Sequence, residues 1–229
     1  MEKARRHGAT LSGESAISAN DQEIEGDGMQ GVRIVLAFLA AGLGAGCTSI
    51  SSNYTGEITR PSAASIIVCH GFDCRNKVRL ALTGADEQRF ASLLTAGEAS
   101  PAAERAAVAR AVAYYEQRYV QVIGAADKAK SDISQTGELG QMDCIDESTN
   151  TRSLLLHLAH VGLLKHHDVL YNVSRGIMVD GRYPHSTAVL KEKAGGKKWA
   201  VDSWFDAAGA EPDVMPLDVW VTHGVMGAR

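Results

Sequence analysis

The stretch "GELGQMDCIDESTNTRSLLLHL" (137–158) decides how this chain is read. A loose run containing Gly137 and Gly140 gives way to a Leu-rich helical pattern, with Cys144 at the junction. Leu154, Leu155, Leu158, Val161 and Leu164 crowd one side of a helix expected over about 146–165. Its polar start "DESTN" supplies capping groups, and Gly162 weakens its last turn. Cys144 then stands just before a helix N-terminus, where unsatisfied N–H groups and the macrodipole favour an anion. A stabilised thiolate is the expectation.

Upstream, "IIVCHGFDCRNKVRLAL" (66–82) begins apolar and ends in the alternation Val78, Leu80, Leu82, which suits a short strand after a cross-linked loop. Thr83 with Asp86 reads as a capping box opening a helix over 84–95. Ser100–Pro101 is an N-cap followed by proline at the first helical position. Val108, Val112, Tyr115, Tyr119 and Val122 carry that helix to about Lys130. Downstream, "DVLYNVSRG", "HSTAVLKE" and "KKWAVDSWF" alternate like strands, and the last two flank "KAGG" as a hairpin. Helices first, then sheet, gives an α+β domain over 65–229.

The rest of the chain is read differently. Residues 1–28 lack aromatics and any apolar period, and are expected to be a mis-annotated extension or disordered. From Met29 to Cys47, Arg33, the apolar run Ile34–Leu43 and small residues before the cysteine form a secretory signal with a lipobox-like end. Cys47 is the expected lipidation site, and 48–64 a Ser/Thr/Gly-rich tether. The expected location is the bacterial cell envelope, lipid-anchored or periplasmic. A net charge of −4 without a basic run argues against nucleic acid as a partner. In an oxidising compartment Cys69 and Cys74 are close enough to form a disulfide. A metal pair with His70 is the rival reading, with no second Cys/His pair at a fitting distance. Cys144 is left without a partner, and an unpaired thiol in an exported protein needs a reason.

His185 opens the strand "HSTAVL", and Asp202 lies in the paired strand across the Gly-Gly turn. Adjacent strands can set them side by side, the carboxylate fixing the tautomer of the ring. The other ring nitrogen is then free to take the proton of Cys144. Cys144, His185 and Asp202 are the expected catalytic residues. Gln141 is the side-chain candidate for an oxyanion donor beside the Cys144 N–H, with Gln135 behind it.

The segment "MDCIDESTNTRSLLLHLAHVGLL", followed by "HSTAVL" and "WAVDSWF", resembles the bacterial transglutaminase-like cysteine proteinases of the papain-type superfamily. The matching residues are Asp143, Cys144, Asp146, His185 and Asp202, within roughly 140–206. The resemblance implies a papain/transglutaminase-like fold, with N-terminal helices and a nucleophile at a helix start packed on an antiparallel sheet. It implies a thiol peptidase or amidase acting on envelope proteins or peptidoglycan peptides. A transglutaminase with an amine acceptor, or a non-catalytic lipoprotein using the fold for binding, are the alternatives. No cofactor is required by this chemistry. Calcium, bound in some members through acids beside the nucleophile, would have Asp143 and Asp146 as candidates, a thin oxygen shell.

Overall fold

The computed structural model describes residues 64–131, 133–176 and 184–223. The expected extension, signal, Cys47 and nearly all of the tether lie outside the described residues. Among the described residues, no helix is long and apolar enough to cross a membrane.

The described chain is mixed α and β with antiparallel sheets, the α+β class expected. Strands β1 (Ser65–His70) and β2 (Asn76–Ala81) form a hairpin, paired from Ser65↔Ala81 to His70↔Asn76. The sequence pattern predicts one strand here, because β1 is buried almost throughout and shows no alternation. Helix α1 (Gly84–Thr95) opens on the predicted capping box: Thr83 and Asp86 exchange side-chain-to-backbone bonds. Asp86 also accepts from Tyr114 Oη and Arg118 Nε at 2.6 Å each, so the same carboxylate bolts α1 to the next helix.

That helix, α2 (Pro101–Ile123), starts at the Ser100 cap and stops short of the expected Lys130. Gly124 ends it in the left-handed region at φ 84°, donating its N–H to Val120 O. Val108, Val112, Tyr115 and Tyr119 are buried as their spacing predicts, with Ala107 and Ala111 widening the stripe. They meet Phe90 and Leu94 of α1, Val68 and Leu80 of the hairpin, and Leu154, Leu155 and Leu158 further on in one core.

Helix α3 (Cys144–His160) begins two residues earlier than the sequence pattern predicts. Asp143, not the "DESTN" run, is its N-cap, its side chain accepting from Ile145 N and Asp146 N. The polar residues Asp146–Ser153 are buried inside it. Three of them reach different neighbours: Asn150 clasps the Cys69 backbone, Thr151 meets Ser203, and Arg152 donates to Leu170 O. A run that reads as solvent-facing is a set of polar pegs into the elements on either side.

The larger sheet has β3 (His167–Val169) and β4 (Val173–Arg175) pairing successive parts of one edge of β5 (His185–Glu192). On its other side β5 pairs β6 (Lys198–Asp202), which pairs β7 (Asp213–Pro216). The predicted hairpin across "KAGG" is present, with Lys191 opposite Lys198 and Ala188 opposite Val201. A short helix α4 (Leu217–Thr222) closes the described chain and buries Trp220.

Gly140 sits at φ 78° in the approach to α3, and a Cβ there would meet Ala125 O at 2.7 Å and Ala125 Cβ at 2.8 Å. Gly140→Ala is therefore expected to destabilise the fold by about 2 kcal/mol or more, combining left-handed strain with overpacking. A thermal melt checks it, and a change under about 0.5 kcal/mol would contradict the close approach.

Candidate active site

Cys144 is the first residue of α3, half-buried, and the free cysteine among the described residues. Its Sγ lies 3.9 Å from Pro184 O, immediately before His185. Cys144 and His185 line one cleft of about 280 Å³ with Phe72, Ser131, Asp143, Ile145, Ser174, Pro184, Ser186 and Trp204.

The His185–Asp202 pairing arises less simply than two facing residues. The β5–β6 register places Ala188 opposite Val201, so His185 and Asp202 are offset along the hairpin rather than opposed. They nevertheless meet, with His185 Nε2 donating to Asp202 Oδ2 over 2.7 Å. Asp202 Oδ2 also accepts from Trp220 Nε1 at 2.7 Å, and Oδ1 faces the Trp204 N–H. The imidazole is boxed by Trp204, Phe205 and Trp220, with ring centroids 4.9, 5.5 and 5.6 Å away. Its Nδ1 is buried with no hydrogen-bond partner among the described residues. A histidine with Nε2 committed to a carboxylate and Nδ1 idle is poised to accept a proton at Nδ1.

The resting state of the thiol departs from the sequence expectation. Burial, then the charges of Asp143 and Asp202, push Cys144 up to about 12, against the pull of the Ser186 and Cys144 N–H groups. The helix start does not by itself ionise this cysteine, because two carboxylates stand near and solvent is largely excluded. The thiol is protonated at neutral pH.

Ile145 and Asp146 donate to the Asp143 side chain and Glu147 to its carbonyl, leaving the Cys144 N–H as the first-turn donor outside the cap. That N–H is the oxyanion donor the geometry offers. Gln141 does not join it. Its Nε2 donates to Ala126 O at 2.9 Å, its Oε1 receives Lys128 N, Ser131 Oγ and Gln135 Nε2, and it does not line the cleft. Gln141 and Gln135 hold the loop before α3 together, since a buried amide is drawn to the nearest backbone groups.

Cys69 and Cys74 are bonded as a disulfide at a Cα separation of 4.6 Å. Their sulfurs lie near an Asp146 oxygen, yet sulfurs bonded to each other are not metal ligands. Inside the ring, Gly71, Phe72, Asp73 and Cys74 all have positive φ, from 51° to 85°. Successive N–H groups in that conformation form a concave anion receptor. Phe72 N and Cys74 N donate to the two oxygens of Asp146, and Asp73 N to Asp143 Oδ2. Burial, then the charge of Asp143, raises Asp146, while those N–H groups pull the other way. With all four oxygens of Asp143 and Asp146 accepting backbone N–H bonds, the pair does not fit a calcium ion as arranged. Asp146 is a bolt for the disulfide loop, and that loop sets Phe72 in the cleft wall.

Two other histidines in and after α3 are committed elsewhere. His157 pairs with Glu87, and His167 with Glu104, at 3.2 and 2.8 Å. Trp220, whose Nε1 bonds Asp202, is a site residue that the sequence pattern does not single out. Comparisons with protein-family models, curated proteins and solved structures find no match to this chain.

Proposed function

We propose that the domain over 65–229 is a thiol acyl-transfer enzyme of papain/transglutaminase-like type, acting as a peptidase or amidase. One observation carries the reading: the cleft holding Cys144 also holds a histidine with Asp202 on Nε2 and nothing on Nδ1. Cys144 Sγ attacks the substrate carbonyl as its proton passes to His185 Nδ1. The Cys144 N–H meets the developing oxyanion, and Asp202 steadies the imidazolium. His185 then protonates the leaving amine, and water resolves the acyl-enzyme. Aromatic rings around His185 keep bulk water from the proton path.

The described cleft lining contains no Lys or Arg, and Phe72, Ile145, Pro184 and Trp204 give it apolar walls. An uncharged peptide side chain suits it, which supports a protein or peptidoglycan-peptide substrate. With the sequence reading of a lipidated signal, the enzyme works in the cell envelope.

Intact-mass analysis after incubation with a peptide p-nitrophenyl ester tests this. A covalent acyl adduct on Cys144, absent in Cys144→Ala, is expected. No adduct with the wild type would return the domain to a binding role, and faster decay of the adduct with added amine than with water would make it a transglutaminase.

A further inference from the structure

Behind the nucleophile lies a cluster of acids that the chemistry above leaves unused. Glu116 on α2, Asp127 in the loop after it and Glu147 in the first turn of α3 are 4%, 2% and 3% exposed. Asp127 Oδ1 accepts from Met142 N and Ser131 Oγ, both at 2.9 Å. Asp127 Oδ2 and Glu147 Oε2, by contrast, are buried and find no donor among the described residues. Yet the two side chains lie within hydrogen-bonding reach of each other. Two ionised carboxylates have no hydrogen to offer, so that contact requires a proton on one of them. A single proton relieves both orphaned oxygens at once.

We infer that Asp127 and Glu147 share one proton, and that this bond fixes the chain around Cys144, making both positioning residues for the nucleophile. The placement is the reason. Asp127 holds Met142 N, two residues before Cys144, on Oδ1, and its side chain reaches Glu147, three residues after. The tie brackets Cys144 on both sides and closes the loop after α2 onto the start of α3.

The surroundings keep the proton in place. The groups facing Glu147 are Asp127, Glu116, Tyr119 on α2 and Asp202 on β6, none of them cationic. Burial, then Asp127 and Glu116, hold Glu147 well above the usual carboxylate range. Glu116, which takes the Gly209 N–H and faces Asp127 and Asp206, is pushed up to about 8 by its burial. No cation is needed to account for the pair.

The catalytic meaning of the tie rests on Cys144 being the nucleophile; the tie itself does not. The test uses the full chain, with Glu147→Gln, Asp127→Asn and Glu147→Ala, read by denaturant unfolding from pH 5 to 9 and by iodoacetamide labelling of Cys144. Glu147 is raised in the folded state, so the folded protein keeps a proton that the unfolded chain loses above about pH 4.5. Its share of stability is full below that pH and declines as pH rises toward the folded value. The wild-type unfolding constant should therefore climb more steeply than that of Glu147→Gln, by up to about tenfold per pH unit, Glu116 cancelling between them. The glutamine amide donates to Asp127 without titrating, so Cys144 in Glu147→Gln should label at the wild-type rate. Glu147→Ala should change that rate. If Glu147→Ala does not fold, Asp127→Asn, whose amide donates to the Glu147 carboxylate, must show the same flattened slope. Parallel slopes in wild type and Glu147→Gln, or a Glu147→Gln labelling rate as disturbed as that of Glu147→Ala, would overturn the shared proton. A wild type that forms no acyl adduct would sink the proposed function and leave these slopes to decide the tie.

Discussion

In His185→Ala, labelling of Cys144 by iodoacetamide at pH 7 is expected to fall by about a hundredfold or more, the lower end of what a positioned base contributes. The size follows from the state of the thiol. Burial and two neighbouring carboxylates leave Cys144 protonated at neutral pH, so the alkylating agent meets a thiolate chiefly when Nδ1 of His185 takes the proton. Asp202→Asn should act through the ring rather than on it. An asparagine can donate to Nε2, which turns the tautomer and places a hydrogen on Nδ1, the atom that must accept. Acyl-enzyme formation should then fall on the order of 10³–10⁴-fold with the fold intact. The aromatic box gives a control: Trp220→Phe keeps the ring stack and deletes only the 2.7 Å bond to Asp202, so its loss should be far smaller. Equal labelling rates in wild type and His185→Ala would remove His185 as the base.

The distribution of sequence signal across this fold has physical causes. Elements that bury one face against solvent on the other are legible: the Thr83–Asp86 box and the valine and tyrosine stripe of α2 follow from local rules. The polar half of α3 is not, because it is buried on all sides, nor is β1, because its apolar run carries no sequence alternation. In α3 the period is also masked by residues chosen for specific partners, such as Asn150 for the Cys69 backbone. Cys144, His185 and Asp202 could be picked out from local signals: an unpaired thiol at a helix start, and a His and an Asp on strands joined by a Gly-Gly turn. Trp220 could not, since the indole N–H that reaches Asp202 depends on where a six-residue helix lands. The raised thiol has the same origin: the helix start is local, whereas the burial that dominates the shift comes from the packed fold. Gln141 fails as an oxyanion donor because the loop around it folds back and takes both ends of its amide.

The second large effect is expected at Asp146, which never touches the cleft. Its carboxylate is fully buried and receives Phe72 N at 2.8 Å and Cys74 N at 2.6 Å, one on each oxygen. Asp146→Asn keeps the volume but turns an NH₂ toward one of those N–H donors. A bond is lost and a buried donor is left facing another donor, about 1–3 kcal/mol. The disulfide cannot compensate. A ring closed over six residues restrains the unfolded chain by about 2 kcal/mol on the entropic account, but it does not specify which way the loop turns. That choice needs an acceptor at the centre of four left-handed residues, three of them not glycine. Without that acceptor the loop should relax toward ordinary backbone angles and carry Phe72 out of the cleft wall. Denaturant unfolding should therefore show the loss of stability, and acyl-enzyme formation should weaken even where the protein remains folded and the Cys69–Cys74 bond intact. Cys69→Ser/Cys74→Ser offers the contrast: with Asp146 still holding the N–H groups, it should lose stability while keeping more of the acylation rate than Asp146→Asn. If the serine pair loses the rate and Asp146→Asn keeps it, the loop is held by its cross-link, and the carboxylate is only its neighbour.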